Sequence, residues 1–178
     1  ENIFIHQGDC NRILLDTVFP RYNFQDFARA LCLLDPYNLT VDWKVLHTAG
    51  SMESIEIFYN FMIMDANMNI LWRDPQKVDE SQIQRMNRIW GDESWRDIAY
   101  RKVKTLFEDE IEKVGNPEIA KAFRRRLIDV AGFRFVPEPI AMRNSKSSVI
   151  YYLYFASQNK TRAKIVSDIF KKYANRMA

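Results

Sequence analysis

The chain has 178 residues, 47% of them apolar and including 12 Phe, 8 Tyr and 4 Trp, which excludes a disordered polyelectrolyte and is enough for one domain with its own core. Its net charge of +3 hides a division: residues 1–120 carry 13 Lys or Arg against 20 Asp or Glu, a net −7, while residues 121–178 carry 13 against 3, a net +10. Clustered positive charge is what a polyanion partner requires, and an ordinary solvated face has the same composition.

In chain order, Asn2 to His6 reads as a strand running into the polar turn Gly8-Asp9-Cys10-Asn11. Because the chain begins at Glu1 inside an element, cleavage, truncation or an unseen upstream segment is expected. Ile13 to Phe19 suits a short helix. Phe27 to Leu34 is almost continuously apolar and breaks at Asp35-Pro36-Tyr37-Asn38, the pattern of a parallel strand covered on both faces. A helix over Asp42 to Thr48, capped by Asp42, leads to a strand over Ile55 to Phe61 and a loop over Asn60 to Asn69.

Helices follow at Glu80 to Trp90 and at Ser94 to Lys113, where Trp95, Ile98, Ala99, Val103, Leu106, Phe107 and Ile111 recur every three or four residues. Gly115-Asn116-Pro117-Glu118 stops one helix and starts another, which ends at Gly132. Phe135 to Met142 and Val149 to Phe155 form an antiparallel hairpin, and a final helix spans Thr161 to Met177. The expected fold is α/β, a mostly parallel sheet covered by helices on both faces, with a C-terminal antiparallel hairpin.

In open parallel sheets the ligand crevice lies outside the carboxyl ends of the strands, which selects three loops. Asp9 and Asn11 can bond an amino group or a ribose hydroxyl, or simply form a turn and a helix cap. At Asp35-Pro36-Tyr37, proline holds the preceding residue extended, so the Asp35 and Pro36 carbonyls can accept from an attacking amine while Tyr37 stacks on a planar ring. A turn with an aromatic lid fits the same residues. Asn60 lines the third loop, where Met62, Met64 and Met68 form a soft apolar rim and Arg73 can pair with Asp65 or a phosphate.

Two histidines and two cysteines without Cys-x-x-Cys spacing supply no metal cluster, and the five scattered glycines form no phosphate-binding loop. Cys10 and Cys32 read as reduced thiols, and with no export signal the expected location is cytoplasmic. Apolar runs of about eight residues, against about twenty for a spanning helix, exclude a helical membrane span.

The strings Phe4 to Asn11, Leu33-Leu34-Asp35-Pro36-Tyr37, Val41-Asp42-Trp43, Ile57 to Phe61 and Tyr151 to Ser157 together resemble the three-Cys-motif partner protein (TcmP) family. That family is similar to class I S-adenosylmethionine-dependent methyltransferases and is found near mobile or phage-related genes. The resemblance implies a Rossmann-like methyltransferase sheet, incomplete at the N-terminus, with S-adenosylmethionine as cofactor, residues 1–178 being a single domain that is the C-terminal part of a larger one. It also implies a radical-SAM-like partner protein with three cysteines.

On the same basis Asp9, with Cys10 and Asn11, would meet the cofactor adenine. Asp35, Pro36, Tyr37 and Asn60 would form the catalytic site for methyl transfer to an amino group, such as that of a nucleobase. The motif lacks the second proline of Asp-Pro-Pro-Tyr, and the glycine-rich loop and ribose-binding carboxylate have no counterpart. A non-catalytic partner protein on the same fold and a nucleic-acid binding module using the basic last third are the competing readings. The residues expected to meet a polyanion are Arg124, Arg125, Lys164, Lys171 and Lys172.

Overall fold

The computed structural model describes residues 3–104 and 109–177. Among them are the strands β1 (Ala30–Leu34), β2 (Ile55–Phe61), β3 (Tyr100–Lys104), β4 (Asp109–Lys113), β5 (Ile140–Arg143) and β6 (Val149–Ala156). The helices are α1 (Cys10–Ile13), α2 (Trp43–Ser51), α3 (Ile63–Asn69), α4 (Glu80–Trp90), α5 (Trp95–Ala99), α6 (Asn116–Asp129) and α7 (Lys160–Met177).

The main sheet has the order β1-β2-β6-β5. β1 and β2 are parallel, paired from Ala30–Ile55 to Leu34–Tyr59, as expected for strands joined through α2. β6 then lies antiparallel to both β2 and β5. The sheet is therefore mixed and largely antiparallel, and the expected mostly parallel Rossmann-like methyltransferase sheet is not what forms. The cause is the hairpin: its second strand, β6, inserts beside β2 and leaves β5 at the outer edge.

The expected first strand is also missing. Asn2 lies outside the described residues, and Ile3 to His6 form no strand; Phe4 and Ile5 are 68% and 91% exposed, with no ladder to bury them. β1 is consequently an edge strand, with Leu31 and Leu33 exposed.

Alternation along β2 divides the core. Ile55, Ile57, Tyr59 and Phe61 are buried on one face, where Phe123 of α6 stacks on Phe61 at 4.6 Å and meets Tyr154 edge-on at 5.4 Å. On the other face, Phe58 and Phe155 pack against Ala163 and Phe170 of α7. α6 follows the expected signals, with Pro117 in its first turn and Ile119, Ala120, Phe123 and Leu127 on its buried side.

The long helix expected from Ser94 to Lys113 does not form. α5 stops at Ala99, and β3 and β4 make a separate antiparallel ribbon; Leu106 and Phe107 lie outside the described residues. The ribbon sets Arg101 opposite Glu112, Val103 opposite Glu110 and Lys104 opposite Asp109, so a basic strand faces an acidic one. Arg101 donates twice to Glu112, at 2.8 and 2.6 Å. This block of positive followed by negative residues was the available sequence signal, and the helical period masked it.

Residues 10–21 are helical throughout, passing from α1 into a π-helical turn (Leu14–Val18) and a 3₁₀ turn (Phe19–Arg21). No helix among the described residues is long and apolar enough to cross a membrane.

Candidate functional site

The residues at the ends of β1 and β2 come together only in part. Asn60 Nδ2 donates to Asp35 Oδ1 at 2.5 Å, bridging the carboxyl ends of the two parallel strands. Pro36 is half-buried, and the Tyr37 ring is 96% exposed. By register Asn60 sits opposite Leu153, on the sheet face that α7 covers.

The first loop is occupied by local structure. Asp9 caps α1 by accepting from the Arg12 amide at 3.0 Å, and Cys10 opens the helix as an exposed thiol. Asn11 is buried, donating to the Thr40 carbonyl at 3.0 Å and accepting from the Asp42 amide at 2.9 Å. Both ends of its amide thus tie α1 to the approach of α2. The turn-and-cap reading describes these contacts.

The third loop is largely helix α3. Asp65 accepts from the Leu39 amide at 2.9 Å, Arg85 at 3.0 Å and Asn69 at 2.7 Å, so its ion-pair partner is Arg85 rather than Arg73. Lys113 donates to Asn67 at 2.7 Å and to the Leu71 carbonyl, and burial holds its pKa below the usual lysine value. These polar groups lock α3 to α4 and the ribbon.

The basic last third separates into fixed and available cations. Arg126 is fixed: it donates to the Trp90 carbonyl and to Asp92, each at 2.5 Å, and its guanidinium lies 4.7 Å from the Trp43 ring centre. Arg162 pairs with Glu56 at 3.1 Å. Arg124 pairs with Glu138 at 3.0 Å and donates to the Val136 carbonyl at 2.7 Å; Arg134 pairs with Glu53 at 2.7 Å.

Arg124 and Arg134 nevertheless line one wall of a cleft of about 330 Å³, with Lys160 and Lys164 of α7 and the Phe135 ring. Both lysines are exposed, and among the described residues neither has a carboxylate partner. Lys171 and Lys172 are exposed further along α7, and Arg125 is exposed on α6. The expected polyanion residues therefore do not form one cluster: Arg124 and Lys164 meet in the cleft, joined by Arg134 and Lys160, while Arg125 lies outside it.

Among the described residues, no group of three or more His, Cys, Asp or Glu side chains could hold a metal ion. No family model, curated protein or solved structure matches the chain. The resemblance to the three-Cys-motif partner family is therefore not upheld, and the chain's central strand pairing is antiparallel; its own two cysteines are both free. The methyl-transfer function inferred from it is corrected on the same grounds, since the mostly parallel sheet that was to carry that site is absent.

Proposed function

We propose that this domain binds nucleic acid through the cleft between α6 and α7. The carrying observation is the convergence of Arg124, Arg134, Lys160 and Lys164 around a cleft that also presents the Phe135 ring. A phosphate backbone rewards this combination, because positive side chains release counterions and an aromatic surface gives a base or sugar an apolar contact. Lys160 and Lys164, which have no carboxylate partner among the described residues, supply the attraction for a polyanion, while the fixed pairs of Arg124 and Arg134 hold their side chains in place at the rim.

Fluorescence anisotropy with single- and double-stranded oligonucleotides, at several salt concentrations, tests the proposal. If Lys160 and Lys164 each neutralise one phosphate, the Lys160→Glu/Lys164→Glu variant binds at least about tenfold more weakly. The slope of log affinity against log salt becomes shallower by roughly 2. Unchanged affinity and slope in a folded double variant would remove the cleft from consideration.

A second contact is favoured by the exposed Tyr37 ring, two residues after the Asp35 that bonds Asn60. The ring offers a stacking surface, and the Asp35 carboxylate can accept from an exocyclic amine. Tyr37→Ala would then weaken single-stranded binding by about 1–3 kcal/mol and leave duplex binding unchanged. Equal losses on both substrates, or none on either, would sink this second reading.

A further inference from the structure

Between α4, α5 and the β3–β4 ribbon lies a second cleft, of about 300 Å³, that shares no residue with the basic one. Its walls are apolar, built from Ile70, Val78, Ile83, Trp95, Tyr100 and Ile111. Charged groups reach it at Arg96, Asp97, Arg101 and Lys102. Arg101 is committed to Glu112, while Arg96 has no ion-pair partner among the described residues. The Arg96 Nε is withdrawn from solvent and makes no hydrogen bond. Its guanidinium carbon lies 5.3 Å from the Trp95 ring centre.

We propose that this cleft binds a small amphipathic anion, an apolar body ending in a carboxylate that meets Arg96. Arg96 brings a guanidinium without a carboxylate partner to these apolar walls, and a carboxylate gives it a charge-assisted bond that an alcohol supplies only weakly. The volume admits about ten water-sized groups at ~30 Å³ each, the scale of a short alkyl or phenylalkyl chain. Lys102 adds a second positive charge at the cleft, against the single negative charge of Asp97, which is exposed on α5. The apolar walls select against small hydrophilic anions such as inorganic phosphate.

The test uses 4-phenylbutyrate, 4-phenylbutanol and 4-phenylbutylamine as probes of one shape and three charges. Each is titrated into ¹⁵N-labelled protein while the Trp95 indole and Arg96 Nε–H signals are followed. The acid should give saturable shifts at both signals with a Kd of about 1 mM or tighter, and should bind about tenfold more tightly than the alcohol. Arg96→Met, which keeps an apolar stem, should remove that preference while thermal stability is retained. Ile83→Trp, which fills the cleft, should abolish binding of all three, and Arg96→Met alone keeps the proposal testable should Ile83→Trp misfold. Equal affinity for acid, alcohol and amine would mark a nonspecific apolar gap and overturn the proposal. So would the absence of saturable shifts, or acid binding unaffected by Arg96→Met.

Discussion

Replacing Arg126 by Met asks whether a residue in the most basic part of the chain serves the fold or the ligand. The side chain is largely buried: its Nε donates to the carbonyl that ends α4, at Trp90, and its guanidinium covers the Trp43 ring. Met preserves most of the stem and removes the charge. A hydrogen bond from a charged donor to a backbone carbonyl contributes about 1.5–3 kcal/mol, and the cation–π contact about 0.5–2 kcal/mol. The Asp92 partner is half-exposed, so that ion pair adds at most about 1 kcal/mol. The expected loss is about 3 kcal/mol, read by urea unfolding, with a fall in Tm on the order of 6–12 °C for a chain of this size.

The effect carries a pH signature. Burial opposes ionisation of Asp92, but the hydroxyl and amide of Ser94, followed by Arg126, outweigh it and hold the carboxyl below its usual range. A depressed carboxylate pKa contributes stability above the unfolded value, near ~4, and loses it as pH falls through the lower folded value. The gap between wild type and Arg126→Met should therefore narrow in acid. Oligonucleotide affinity and salt slope should stay unchanged in the folded variant, because Arg126 is occupied within the protein. A stability loss below about 1 kcal/mol at unchanged m would refute the structural assignment.

Two other outcomes are expected. Gly50→Ala should destabilise by about 1–3 kcal/mol or more, because a Cβ there would fall 1.9 Å from the Ala131 carbonyl oxygen, which is backbone and cannot swing aside; an unchanged Tm would contradict the close approach of α2 to that carbonyl. Alkylation with iodoacetamide at pH 8, followed by mass spectrometry, should label exposed Cys10 and spare Cys32. Burial, with Cys10 a smaller contributor, raises the Cys32 thiol to about 11, so its reactive thiolate appears only as pH approaches that value. Equal labelling of both cysteines at pH 8 would contradict the burial of Cys32.

Features with a local cause were legible in the sequence. The apolar run before Asp35-Pro36 and the strand over Ile55 to Phe61 were read from composition, and the two do pair in parallel. The Asn116-Pro117-Glu118 start located α6, and the polar residues Asn144 to Ser147 located the hairpin turn. At the site, the sequence placed Asp35 and Asn60 at neighbouring strand ends, where they do bond.

Choices between distant partners were left to the tertiary structure. Turn chemistry made β5 and β6 antiparallel, but only packing placed β6 against β2, with Tyr154 donating to the Ala120 carbonyl and Phe155 beside Phe58. Apolar spacing over 94–113 suited a helix, and the cross-strand attraction of Arg101 for Glu112, 11 residues away, belongs to the ribbon instead. Composition likewise counted charges without pairing them. Arg126 finds Asp92 across 34 residues and Arg134 finds Glu53 across 81, while Lys160 and Lys164 are left facing the cleft. Periodicity and capping act within a few residues, whereas strand order and the pairing of charges depend on which buried surfaces meet after the chain has closed on itself.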